Sequence, residues 1–177
     1  MTARQQQKKF LTLYEPVHDR FERFCRARVF GKMDYQDLMN ESLLVAYQKL
    51  DSLQSEQAFL SFLIGISRRL LANQHRKKSE DTLHQLEEQD QLDVNANAER
   101  DIEVYLLHQA LATLPEEQRE SLILFEITGF SIKEIAALHQ ASESAVKQRL
   151  KRGRAQLTKI LTFESEHKTT EVNNGTA

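Results

Sequence analysis

A single cysteine is too few for an intrachain disulfide framework or for a zinc site built on cysteine. Cys25 instead falls on an apolar helical stripe with Phe21 and Phe24, the setting of a buried, inert thiol. Glycines number five and prolines two, and no segment shows sustained alternation of apolar and polar residues, so helices are favoured over sheets. The first ten residues are polar and basic without an apolar core of the signal-peptide kind, and no apolar run approaches the roughly 20 residues that span a bilayer. A cytoplasmic protein with no membrane insertion is the expectation. There is no phosphate-binding glycine loop, no nucleophile elbow and no inward carboxylate pair, and His18, His75 and His139 lack metal-ligand spacing. No enzyme, cofactor or metal is therefore expected.

What the chain does have is segregated charge. The net charge of −2 argues against nucleic acid only as an average. Residues 59–78 carry Arg68, Arg69, Arg76, Lys77 and Lys78 and no acid. Residues 79–103 then hold nine acids against Arg100 alone, and residues 140–160 turn basic again with Lys147, Arg149, Lys151, Arg152, Arg154 and Lys159 opposed by Glu143. Two basic blocks around an acidic spacer predict two phosphate-facing surfaces.

Periodicity predicts an all-α chain of two small helical domains. Phe10, Leu13, Tyr14, Val17, Phe21, Phe24, Cys25 and Val29 recur at three- and four-residue steps, predicting one helix over about residues 9–29. Asp34 is a candidate N-cap for a second helix to about residue 50, with Leu38, Ser42, Leu43, Ala46, Tyr47 and Leu50 inward. Residues 51–57 read as a loop. A third helix over 58–78 turns Phe59, Phe62, Leu63, Ile66 and Leu70 inward, and the three close as a bundle spanning residues 8–78. Phe59 and Phe62 are read here as core rather than as platforms for bases. Residues 79–98 are acidic and poor in apolar groups, so they are read as a flexible linker.

The second domain, residues 99–162, opens with a helix carrying Ile102, Tyr105, Leu106, Ala110 and Leu111, which stops at Leu114-Pro115. Proline suits the first position of the next helix, and Glu116 and Glu117 suit its positive end. Gly129 breaks that helix after about Thr128. Ser131-Ile132-Lys133-Glu134 has the form of a capping box, and Ser142 can cap a long helix to about residue 161. Residues 163–177 read as a disordered tail.

A short helix, a tight turn and a long basic helix make the helix-turn-helix pattern, whose second helix enters a major groove about 12 Å wide. At about 100° per residue, Val146, Leu150, Gly153 and Leu157 share the inward arc. Ser144, Lys147, Gln148, Lys151 and Arg152 share the outward one, with donors suited to base edges and phosphates. Arg149 and Arg154 flank them and are expected on phosphates.

These residues resemble a family. Leu114-Pro115, Arg119, Gly129-Phe130-Ser131, Glu134-Ile135-Ala136 and residues 146–154 are similar to region 4 of bacterial sigma factors. Residues 37–41 and 59–78 resemble region 2, and the two-domain length looks like an ECF (extracytoplasmic function) sigma factor. The resemblance implies that the long helix binds the −35 promoter element. It also implies that Asp37, Asn40 and Glu41 meet the clamp helices of the largest core RNA polymerase subunit, and that region 4 reaches the polymerase flap. Arg68, Arg69, His75, Arg76, Lys77 and Lys78 would face single-stranded −10 DNA, and the loop 51–57 would pocket a flipped base. An anti-sigma factor is an expected partner. Departures stand at Phe62 (often Trp in the family), Asn40 (Gln), Arg69 and Asn73 (Asn and Asp), Gln140 (Gly) and Ala145 (Thr). The competing reading is a freestanding helix-turn-helix regulator, which has no need of an acidic docking helix beside a basic strand-binding one.

Overall fold

The computed structural model describes residues 2–80 and 98–173, and among them there is no β-strand. The chain divides into two units, residues 1–90 and 91–177. That division falls inside the acidic stretch 79–98, of which residues 81–97 lie outside the described residues, as do 174–177.

In the first unit, α1 (Ala3–Tyr14) is opened by a capping box between Thr2 and Gln5. The single helix expected over 9–29 is two helices. Pro16 has no N–H to give the ladder, and its ring clashes with the carbonyl one turn back. A 3₁₀ turn (Glu15–Val17) takes up the break, and α2 (His18–Val29) restarts after it. Asp34 caps α3 (Tyr35–Gln48) by accepting from the Gln36 amide at 2.8 Å, as the sequence predicts. The expected loop 51–57 is largely two 3₁₀ turns, Leu50–Ser52 and Glu56–Ala58, ahead of α4 (Phe59–Glu80).

Helices α2, α3 and α4 pack on one another around Phe21, Phe24, Cys25, Leu38, Ala46, Phe59, Leu63 and Ile64, all essentially sealed from solvent. Burying each large side chain contributes about 1.5–3 kcal/mol. The buried stripe of α4 is wider than expected: Leu60, Ile64, Ser67 and Leu71 join it, whereas Phe62 and Leu70 are only half-buried. Ser42 and Ser67 share a buried hydroxyl–hydroxyl bond of 2.8 Å between α3 and α4, and the Ser67 hydroxyl also lies 3.0 Å from the Leu63 carbonyl as its donor. α1 is fastened by Phe10, whose ring meets Tyr47 and Phe59 edge-on at 5.4 and 5.6 Å.

The second unit holds α5 (Ala98–Ala112), α6 (Glu116–Leu122), α7 (Ile132–His139) and α8 (Glu143–Asn173). Burial on α5 begins at Ala110. Ile102 is 51% exposed, against expectation, because an amphipathic stripe needs a partner to cover it and none does so among the described residues. α6 does not run on as a plain α-helix but passes into a π-helical turn, Ile123–Ile127, where the Thr128 amide donates five residues back to Ile123 at 2.9 Å. Gly129 then turns the chain at φ +77°, a conformation that side chains with a Cβ rarely take. α8 continues to Asn173, past residue 162 where the sequence reading ends the domain. Its basic stretch packs on α6 and α7 over a core of Leu122, Ile123, Leu124, Ile135, Val146 and Leu150.

Candidate nucleic-acid interface

The geometry of the long helix starts at its caps. Ser131 accepts from the Glu134 amide at 3.2 Å while the Glu134 carboxylate accepts from the Ser131 amide at 2.8 Å, so the expected capping box opens α7. α7 closes in a Schellman arrangement: the Gln140 amide donates to Ala137 at 3.3 Å and the Ala141 amide to Ala136 at 3.0 Å. This places Gln140 in the left-handed region at φ 50°. Ser142 then caps α8, its hydroxyl accepting from the Ala145 amide at 3.1 Å.

The two faces of α8 separate as the sequence predicts. Val146, Leu150 and Gly153 are buried and Leu157 half-buried, whereas Ser144, Lys147, Gln148, Lys151 and Arg152 are exposed. At Gly153 α8 packs tightly on α6, since a Cβ there would stand 2.9 Å from Leu122 Cδ1. Arg149 and Arg154 do not project freely. Arg149 is half-buried, with Nη2 3.0 Å from Glu117 Oε2 and Nη1 3.3 Å from His139 Nδ1. Arg154 donates to Glu126 Oε1 from Nε at 2.8 Å and Nη2 at 2.6 Å, and its guanidinium lies over the Phe125 ring. The sequence reading missed these acidic partners. Glu117 had an adequate local explanation at the helix start, and nothing local links it to a residue 32 positions away.

On α4, Phe62, Gly65, Arg69, Asn73 and Arg76 fall on one face, with Arg69, Asn73 and Arg76 exposed and Phe62 and Gly65 half-buried. Phe62 leans on Phe59 at 6.4 Å between ring centres and shows its other side. It is therefore core and surface at once, where the sequence reading had it as core. Arg68 points about 100° away from Arg69 and is half-buried, so the two adjacent arginines serve different faces. The side chains of His75, Lys77 and Lys78 lie outside the described residues. Asp37, Asn40 and Glu41 share one exposed face of α3 with Leu44, which is 58% exposed. The sequence reading did not single out this apolar centre in a polar face.

Buried groups away from these faces look structural. Burial, with Glu22 as a smaller contributor, pushes the Cys25 thiol up to about 12. Tyr14 is likewise pushed up to about 12 by burial, with Cys25 and Glu22 adding to it. Among the described residues no group of three or more His, Cys, Asp or Glu is placed to hold a metal ion, and no helix is long and apolar enough to cross a membrane.

Comparison with known proteins gives two family matches, in the order in which the units occur. Residues 13–80 match Sigma-70 region 2 and residues 105–157 match Sigma-70, region 4. The chain is 31% identical over 130 residues to the ECF RNA polymerase sigma factor EcfG of Rhodopseudomonas palustris, covering 71% of this chain and 70% of that protein. It is 33% identical over 131 residues to the ECF RNA polymerase sigma factor SigF of Caulobacter vibrioides, covering 73% and 72%. Among solved structures, the sigma factor RpoE of Bartonella quintana, in complex with the anti-sigma factor NepR, superposes with a TM-score of 0.66 at 21% identity, covering 88% of this chain and 96% of that one. CnrH, in complex with the cytosolic domain of CnrY, gives 0.64 at 22% identity, covering 88% and 89%. At those identities the likeness concerns the fold.

Proposed function

The chain belongs to the ECF family of RNA polymerase sigma factors, and from that membership we propose how its residues divide the work of promoter-specific initiation. Sigma factors are initiation factors rather than enzymes, and they are cytoplasmic as a family. The chain is read as acting there, as part of a holoenzyme with core polymerase.

In the proposed division, α8 enters the major groove of the −35 element. Lys147, Gln148, Lys151 and Arg152 read base edges or hold phosphates, and Ser144 lies near the backbone. One observation carries this: five exposed polar side chains stand on the arc of α8 that faces away from the buried Val146, Leu150 and Gly153. On the first unit, Asp37, Asn40 and Glu41 dock on the clamp helices of the largest subunit, and Leu44 supplies an apolar centre. The second unit reaches the polymerase flap.

The α4 face with Arg69 and Arg76 is proposed to hold the separated −10 strand, with Arg68, on a neighbouring face, and His75, Lys77 and Lys78, further along the sequence, proposed to add to its charge. Opening the duplex costs a few kcal/mol, and a base stacked on an aromatic ring returns about 1–3 kcal/mol. The half-exposed Phe62 is therefore a better platform than the sequence pattern suggests. Residues 8–78 and 99–162 are proposed as the working domains, on either side of the acidic stretch 79–98. An anti-sigma factor, as present with RpoE of Bartonella quintana, is proposed as the partner that masks these surfaces.

Run-off transcription on genomic fragments with purified core polymerase tests the proposal. Promoter-specific transcripts from duplex templates are expected. Lys151→Ala should weaken −35 binding by roughly 5- to 100-fold while leaving core binding intact. Failure of the chain to bind core polymerase even at low salt would favour a freestanding regulator. Equal loss of both activities in Lys151→Ala would make α8 a structural helix.

A further inference from the structure

We propose that Arg149 is a positioning residue that sets the rotation of α8 on α6 and α7, and so decides which bases Gln148 and Arg152 meet, rather than a phosphate contact. The proposal rests on the reading of α8 as the −35 recognition helix.

Three helices meet at this one guanidinium. Nη2 lies 3.0 Å from Glu117, in the first turn of α6, and Nη1 lies 3.3 Å from Nδ1 of His139, the last residue of α7. Behind it, His139 Nε2 stands 3.3 Å from Glu120 Oε2, and those two side chains are only 4% and 7% exposed. The Arg149 side chain itself is 20% exposed, whereas Lys147, Gln148, Lys151 and Arg152 around it are all exposed. These two partners hold the guanidinium towards α6 and α7 rather than on the outward face of α8.

One turn along α8, a further close approach to α6 is Gly153 against Leu122. A glycine lets two helices come near but has no side chain to interlock, so it sets distance without setting rotation. Arg149 supplies what Gly153 lacks. With side-chain tips about 5–6 Å from the axis, a roll of about 20° moves a donor by about 2 Å. A hydrogen bond to a base edge tolerates a donor–acceptor spread of only about 0.5 Å. The roll therefore loses the base contacts and keeps the charge in place.

Charge makes the two roles distinguishable. If Arg149 holds a phosphate, Glu117 competes with DNA for it. Glu117→Gln then removes an anion from the interface, so binding tightens and base preference stays the same. If Arg149 positions the helix, Glu117→Gln loosens the clamp, so preference relaxes although a repulsive charge has gone.

The experiment reconstitutes holoenzyme from core polymerase and the full chain and selects from duplex promoters randomised across the −35 element, at several salt concentrations. For both Glu117→Gln and Arg149→Met, discrimination at the preferred bases should fall about fivefold or more, the lower end of one lost bidentate base contact. Core binding should match wild type, which also reports that the variants fold, and the salt slope should stay the same. Tighter binding by Glu117→Gln at unaltered preference overturns the proposal. So does a salt slope that becomes shallower by about 0.9 in Arg149→Met, the signature of one lost phosphate contact. A wild-type holoenzyme that enriches no −35 sequence fails at an earlier step: it overturns the recognition reading itself.

Discussion

Replacing Gly153 by alanine sets two effects of known sign against each other. Alanine in place of glycine inside a helix gains about 0.5–1 kcal/mol. At this position the new methyl stands 2.9 Å from Leu122 Cδ1, 3.3 Å from its Cγ and 3.4 Å from Gln118 Cβ. Leu122 is 2% exposed, so its side chain has little room to move away. Overpacking of this kind costs about 1–3 kcal/mol. The steric effect wins, and Gly153→Ala should destabilise the second unit by about 1 kcal/mol. Because the chain has two units, a single midpoint of unfolding is ill-defined. Amide hydrogen exchange followed peptide by peptide reads the effect locally: residues 116–122 and 146–157 should exchange about fivefold faster, with no change in residues 35–48. In the double variant with Leu122→Ala the clash disappears, so the two substitutions should cost about 1 kcal/mol less than their sum. Slower exchange in Gly153→Ala, or strict additivity with Leu122→Ala, refutes the close approach on which the placement of α8 depends.

The turn between α7 and α8 holds Gln140 at φ 50°, so Gln140→Gly should stabilise the second unit by about 0.5–1 kcal/mol and Gln140→Val should destabilise it, read in the same exchange experiment. The Cys25 thiol and Tyr14 phenol are both held protonated, to about 12 in the folded chain against reference values of 9.0 and 10.0. Stability should therefore be fully present below pH 9 and fall as pH rises towards 12, because the unfolded state gives up these protons first. Urea unfolding of the first unit at pH 8 and pH 10.5 checks this, and a rise in stability over that interval would contradict it. The same burial should make Cys25 react with a thiol reagent only as fast as the first unit opens.

The sequence made legible whatever is local. The caps at Asp34, Ser131 and Ser142 could be read because a capping side chain bonds an amide two or three residues on. The two faces of α8 could be read because helical rotation is fixed by geometry. The break at Pro16 obeys an equally local rule, but the apolar stripe runs through it from Phe10 to Phe21 and hides it. Other features depend on what each residue meets in space. The pairing of Arg149 with Glu117 joins two helices whose acids and cations each have a sufficient local role. Ile102 carries the right periodicity without a described partner to bury it, and Phe62 sits at the edge of a stripe that packing makes wider than the pattern. The π-helical turn at Ile123–Ile127 has no sequence signal in a segment that otherwise reads as helix.

The arrangement of charge also bears on how such a chain works. Counted along the sequence, the basic block of the second unit looks like a strong phosphate-binding surface. In the folded unit, acids brought up from Glu117 and Glu126 engage Arg149 and Arg154 at its flanks. Lys147, Lys151, Arg152 and Lys159 remain exposed on α8, with no ion-pair partner among the described residues. Each phosphate neutralised on duplex DNA adds about 0.9 to the salt slope, and a binder with strong nonspecific affinity makes on the order of 6–10 such contacts. Four outward cations on α8, in a chain of net charge −2, fall short of that. A freestanding regulator of this build would be at a disadvantage at physiological salt. A subunit carried to the promoter on polymerase is not, because the enzyme supplies nonspecific affinity and the recognition helix needs only to discriminate. The acids that neutralise its flanks suppress binding elsewhere and leave base-edge contacts a larger share of the interaction, which is the balance expected of a factor that acts only within the holoenzyme.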